Sequence, residues 1–290
     1  MIYDVLEVFK REYEQKGDKL ILDNYELKEG IYIRVKSDGE IEPYIVKRKN
    51  RELIFSDIDG GLNHKVYEWF KERDYYSSYL NSNKSFYDKK LHNINYLSIF
   101  VKIESFISND IKKRLNKDAI EYQYRYLCNY KKFTKPKERE ILEGFQEVLT
   151  DRDRRRDIIK KYRWIRDNID SIIELAKEQE IKNYIKIFFD EPIDIYKKES
   201  EIYYAIKIFN DIKFSKKIDS DIYGLSDSNM GLNSKKPFLE HKNRKIVTPF
   251  MMLKEDALLA KKFFDWLKFQ KFIDKKPLND AFFINRDFKE

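Results

Sequence analysis

Hydrophobic positions in the first fifty residues follow two different periods. Ile2, Val5, Leu6 and Phe9 recur at helical spacing with charges between them, which predicts a short amphipathic helix over residues 2–13. Ile31, Ile33 and Val35 then alternate with Tyr32, Arg34 and Lys36, the period of a half-buried strand. Ser37, Asp38, Gly39 and Glu40 make a hairpin turn, and residues 41–47 return as the partner strand. Pro43 lies inside that second run and has no N–H to give a neighbour, so the strand is expected at a sheet edge. Val66, Trp69 and Phe70 open another helix, after which residues 81–96 show no apolar period and read as a loop. Helical periodicity dominates from about residue 97 to residue 180. Pro136 interrupts it; Ile141, Leu142, Phe145, Val148 and Leu149 then share one stripe over residues 138–149. Ile158, Tyr162, Ile165, Ile169, Ile172 and Ile173 form the next apolar face. Residues 184–189 are an apolar run closed by Asp190 and Pro192, as in a buried strand. A helix near residues 202–206 and a loop over residues 216–234 follow. The last helix, over residues 255–269, buries Leu258, Leu259, Phe263, Trp266 and Leu267.

The expected fold class is α+β: an N-terminal helix and β-hairpin sheet, a mostly helical middle, and a small α/β C-terminal portion. The portions are residues 1–105, 106–180 and 181–290, or one continuous domain. Composition agrees with a folded chain, since 290 residues with 42% hydrophobic and 16% aromatic content can build a real core. Cys128 is the sole cysteine, so no disulfide forms within the chain and no cysteine-based zinc site can be built. That usage fits a reducing cytoplasm. The N-terminus has no signal-peptide core, and no uncharged run approaches the ~18 residues of a membrane span. A soluble cytoplasmic protein without a membrane partner is expected. The net charge of +8 is compatible with nucleic acid, but 51 acids offset 59 bases, so distribution carries more weight than the total.

Two loops concentrate that charge. Residues 231–245 hold five cations (Lys235, Lys236, Lys242, Arg244 and Lys245) against the single carboxylate of Glu240. Gly231 and Pro237 keep much of the stretch out of a helix, and Asn233, Ser234 and His241 add donors suited to phosphate oxygens or base edges. Residues 81–96 repeat the mixture, with Asn81, Asn83, Lys84, Lys89 and Lys90 beside aromatics. The competing reading of that loop is an Asn-rich turn that caps its neighbours.

Together the loops resemble the large subunit of the type I-B CRISPR Cascade surveillance complex. The first match is an Asn-Lys stretch leading into Asp88, Lys89, Lys90, His92, Asn95 and Tyr96. The second, longer and more specific, runs from Gly231 to Lys245, and an apolar helix ending Phe263-Phe264-Asp265-Trp266-Leu267 follows it. The resemblance extends in separated blocks from about Tyr67 to Leu267. Members of that family are longer, with a helical C-terminal part along the displaced DNA strand, so this chain is expected to be an N-terminal part or a short relative. The resemblance implies a non-catalytic, antiviral DNA-binding subunit that reads the protospacer-adjacent motif and steadies the opened duplex. Its partners would be target double-stranded DNA and the handle-binding and backbone subunits that hold the crRNA. A helicase–nuclease would be recruited later, and no cofactor is implied. Asn233 is the first choice for base readout, because its amide both donates and accepts.

Residues 151–166 add eight cations against three carboxylates. An apolar stripe through Ile158, Ile159, Tyr162 and Ile165 makes this a helix with one basic side. Arg152, Arg155, Arg156 and Arg163 are candidate backbone contacts. A solvated face laced by pairs four residues apart is the equal alternative. Two other functions compete. One is a haloacid-dehalogenase-like phosphatase with Asp57 as nucleophile and Asp59 as acid/base, suggested by Leu53-Ile54-Phe55-Ser56-Asp57-Ile58-Asp59-Gly60, with Asp190 and Asp194 imitating a downstream metal motif. Gly61 stands where that family has a hydroxyl residue, and no strand–helix alternation surrounds it, so a plain turn is the better reading. The other is a module with a protein-only partner. His64, His92 and His241 are the only histidines, and no two share metal-ligand spacing.

Overall fold

The computed structural model describes residues 2–50, 52–110, 114–226 and 251–270. Helix α1 (Ile2–Lys16) extends past residue 13, with Leu6 and Phe9 buried. Gly17 adopts φ 59°, the left-handed conformation that lets the chain turn directly into α2 (Lys19–Leu22). Strands β1 (Gly30–Val35) and β2 (Ile41–Lys49) form the expected hairpin, and β3 (Glu52–Asp57) pairs back on β2. Helix α3 (His64–Ser77) follows, then the loop, then strand β4 (Ser98–Lys102). The middle consists of α4 (Ile103–Ile107), α5 (Asp118–Cys128), α6 (Tyr130–Phe133), α7 (Pro136–Leu142), α8 (Gln146–Thr150) and α9 (Arg152–Glu178). Strand β5 (Tyr184–Phe189) and α10 (Ile193–Lys207) return to the sheet. A second, small sheet of β6 (Lys216–Ile218), β7 (Asp221–Gly224) and β8 (Met252–Leu253) leads into α11 (Lys254–Phe269). The fold is α+β with a helical middle.

The five-stranded sheet has the order β3-β2-β1-β5-β4; β1 and β5 run parallel and the other neighbours antiparallel. It therefore draws strands from both the 1–105 and the 181–290 portions. Some local expectations change. Strand β2 is interior, not an edge; Pro43 is tolerated because it pairs with Ile33, while the β3 ladder starts only at Tyr44. Residues 52–57 are an edge strand, and the turn begins only after Asp57. Residues 98–102 are a strand where a helix was expected, the three-residue apolar run Ile99–Val101 being too short for its period to decide. The 138–149 stripe is split by a 3-10 turn at Glu143–Phe145, and residues 216–224 are strands instead of loop.

Alternation gives the large sheet two distinct faces. Tyr32, Tyr44, Phe55, Phe100 and Phe188 point one way, and Phe70 of α3 meets four of them with ring centroids 5.4–6.1 Å apart: Tyr32, Tyr44, Phe55 and Phe188. Ile31, Ile33, Ile45, Ile99, Ile185, Ile187 and Phe189 point the other way, toward α9, whose Trp164 ring lies 5.5 Å from Phe189. Several buried charges are paired. Lys186 on the aromatic face bonds Asp74, which also accepts a 2.8 Å bond from Tyr25. Asp18 likewise accepts from Tyr13 and Lys262, each at 2.6 Å, and ties α11 to the N-terminus. Lys186 and Lys262 are thus structural. Among the described residues, no helix is long and apolar enough to cross a membrane.

Candidate nucleic-acid interface

Helix α9 sorts its cations by angle. At 100° per residue, Arg154 and Lys161 fall on the stripe of Ile158, Ile165, Ile169 and Ile172 and are buried with it. Arg154 closes a bidentate pair on Glu199 of α10, Nε–Oε1 2.6 Å and Nη2–Oε2 2.9 Å, and donates to the Leu127 carbonyl at 3.1 Å. Lys161 binds Asp157 and, at 2.7 Å, Glu191. Arg152, Arg155 and Arg163 point outward, and none forms a salt bridge among the described residues. Arg156 is exposed too but pairs with Asp153, a surface interaction that costs little to exchange. Three of the four candidate arginines are therefore available.

Helix α5 packs along α9 and supplies the other wall. Its Ala119, Ile120, Tyr124 and Leu127 are buried, while Tyr122 and Arg125, three residues apart, share the outer side. Asn129 accepts a 3.2 Å bond from the Lys132 backbone N–H and so starts the single turn of α6, which leaves Lys132 and Phe133 exposed. A groove of about 410 Å³ runs between these helices, lined by Tyr124, Arg125, Cys128, Lys132, Phe133, Arg155, Ile159 and Tyr162. Its one carboxylate, Glu121, is engaged by Arg125 and by the Tyr162 hydroxyl at 3.2 Å. The Cys128 thiol is pushed up by burial, with Arg154 and Arg155 opposing, so at neutral pH it stays a thiol.

The 81–96 loop divides into an inner and an outer part. Asn81 accepts from the Asn83 backbone N–H at 3.0 Å and caps a 3-10 turn, Ser82–Lys84. Lys84 is buried, its ammonium bonding the carbonyls of Phe209 and Asn210, so it holds the loop to the end of α10 and leaves the set of candidate contacts. Asn93 and Asn95 are fully buried and organise the turn into β4; Asn93 Nδ2 reaches the Ser98 carbonyl at 2.7 Å. His92 stacks edge-on with Tyr79 and Tyr184, and burial pulls its pKa down to about 4, so it carries no charge for a phosphate at neutral pH. Much of the first family-like motif is thus interior. Lys90 is half-buried beside Asp88, whereas Asn83 and Lys89 remain outside, bonded to each other at 3.0 Å.

Two adjacent aromatics connect this loop to the groove. Phe86 turns in against Tyr126, Tyr130 and Tyr203, while Tyr87 turns out and stacks on Tyr122 at 4.8 Å and 14°. Arg125 lies 5.9 Å from the centroid of the Tyr122 ring. The result is one surface strip: Asn83 and Lys89, then Tyr87 and Tyr122, then Arg125, Lys132 and Phe133, then Arg155 and Arg152. Sequence reasoning found the two ends and missed Tyr87, Tyr122, Arg125, Lys132 and Phe133 between them. A signal existed, since Tyr122 and Arg125 fall off the apolar stripe of α5. Asn233, Ser234, Lys235, Lys236, His241, Lys242, Arg244 and Lys245 lie outside the described residues.

The phosphatase constellation is not assembled. Asp57 Oδ1 accepts from the N–H groups of Asp59 (3.0 Å) and Gly61 (2.7 Å), so it holds its own turn. A Cβ on Gly61 would lie 2.6 Å from the Asp57 carboxylate. Asp190 is bound to Arg34 at 2.7 Å at the end of β5, three inter-strand spacings (roughly 14 Å) from β3. Among the described residues no cluster of His, Cys, Asp and Glu could hold a metal ion. Comparison with protein-family models, curated proteins and solved structures returned no match.

Proposed function

We propose that this chain is a non-catalytic nucleic-acid-binding subunit of a crRNA-guided complex of the Cascade kind, engaging target DNA beside the guide-paired segment. The observation that carries the reading is the strip itself, in which salt-bridge-free arginines of α9 and the outer Asn83–Lys89 part of the loop converge on one face through exposed aromatics. Cations without carboxylate partners give phosphates a favourable exchange of counterions, and neighbouring amides and rings can add contacts to bases. The resemblance of the 81–96 and 231–245 segments to the Cascade large subunit supplies the context of guide RNA, adjacent-motif reading and partner subunits. In that setting Lys235 and Lys236 anchor the second loop on phosphates while Asn233 reads a base.

The test is a titration of the full chain with target DNA over a range of salt. Affinity should fall steeply with salt, and Arg152→Ala with Arg155→Ala and Arg163→Ala should lower the slope by about 1 for each phosphate left without its cation. Lys235→Ala with Lys236→Ala should lower it similarly. Binding that ignores salt, or a triple variant that leaves the slope unchanged while folded, would refute the reading in favour of a protein-only module. Co-purification with a short guide RNA and its subunits tests the assembly separately.

A further inference from the structure

We infer that the strip between the loop and α9 takes single-stranded nucleic acid, with unstacked bases on Tyr87, Tyr122 and Phe133 and the intervening phosphates on Arg125, Lys132 and Arg155. The inference rests on the nucleic-acid reading above and specifies which form of the polymer this face binds.

Rings and cations interleave along the strip. Tyr87, Tyr122 and Phe133 are 57%, 43% and 38% exposed, large aromatic side chains left in water, whereas most aromatics among the described residues are buried or half-buried. Tyr87 and Tyr122 form a two-ring platform at 4.8 Å, and Phe133 lies against the buried Tyr126 at 5.6 Å with an interplanar angle of 25°. Rings anchored on one face and exposed elsewhere suit a planar base. A duplex cannot use them, because its bases are already stacked inside and it presents only backbone and groove edges. A single strand can place a base on each platform. Its phosphates then pass the cations between, of which Lys132 and Arg155 form no salt bridge among the described residues.

Dimensions agree. The groove of about 410 Å³ lies within the ~300–1,000 Å³ range of pockets that enclose small planar ligands. Its wall at Ile158 and Ile159 is apolar, as a base face requires, and the cations stand at its rim. Duplex tracking would need the arginines alone and would leave the aromatic exposure without purpose.

The experiment measures fluorescence anisotropy of the full chain with a fifteen-nucleotide oligo-dT, the matching oligo-rU and a fifteen-base-pair duplex at one fixed salt concentration. The wild type should bind a single strand more tightly than the duplex. Tyr122→Ala and Phe133→Ala should each weaken single-strand binding about tenfold, from the loss of one stacked base, and change duplex binding less than about twofold. Tyr122→Phe should restore wild-type binding, which separates a stacking platform from a hydrogen-bonding phenol. Both rings are exposed, and circular dichroism checks that the variants fold. Preference for oligo-dT or for oligo-rU assigns DNA or RNA, and either supports the inference. Equal binding of strand and duplex with silent aromatic variants overturns it and leaves the nucleic-acid reading standing. Absence of binding to all three probes overturns both.

Discussion

Arg154 separates the architectural charges of α9 from the candidate binding charges in one substitution. Its guanidinium makes two bonds to Glu199 and one to the Leu127 carbonyl, and the side chains of the pair are only 6% and 2% exposed. Arg154→Met keeps the bulk of the stem but leaves the Glu199 carboxylate buried without a counter-charge. Breaking a buried pair from one side costs about 3–5 kcal/mol, and the unpaired Leu127 carbonyl adds to the upper end of that range. Replacing both partners with Met removes the uncompensated charge, so the double variant should recover most of the loss, to within about 1–2 kcal/mol of wild type. Urea unfolding followed by circular dichroism reads both, with an unchanged m-value showing that the same surface unfolds. A single variant less than about 1 kcal/mol down, or a double variant no better than the single, would show that the pair does not tie α9 to α10.

Three further outcomes follow from the same geometry. Lys84→Ala should cost about 1–3 kcal/mol for the carbonyls of Phe209 and Asn210 it deserts, yet leave the salt slope of DNA binding unchanged; a lowered slope would return Lys84 to the binding surface. Asp57→Asn with Asp59→Asn should leave DNA binding unaltered, and magnesium-dependent phosphatase activity that vanishes in this variant would revive the rival function. His92 is held neutral by burial, with a pKa of about 4 against an ordinary 6.5, so the stability this adds is complete above about 6.5 and is lost as pH falls toward 4. His92→Gln should flatten that limb of the pH–stability curve, and an unchanged limb would place the titration elsewhere.

The local pattern determined a good deal about this protein. The alternation of Ile31, Ile33 and Val35 and the apolar run at residues 184–189 specify strands wherever they end up, because only a pleated chain puts those side chains on buried faces. The apolar stripe of α9 follows from spacing alone. Sequence also located both ends of the candidate interface, since unusual clusters of Asn, Lys and Arg are visible without coordinates. Only tertiary structure decided which of those charges face water. Arg154 and Arg155 are adjacent and chemically identical, and 100° of helix rotation sends one to Glu199 and the other to the groove. Lys84 and Lys89 share one loop, and only packing against the end of α10 buries the first. The partners that make these choices are 45 and 125 residues away, a separation at which neither period nor composition carries information. Strand order is non-local in the same way: Pro43 argues for an edge from its own chemistry, yet β2 is flanked on both sides, and Pro43 is tolerated there because the β3 ladder begins only at Tyr44.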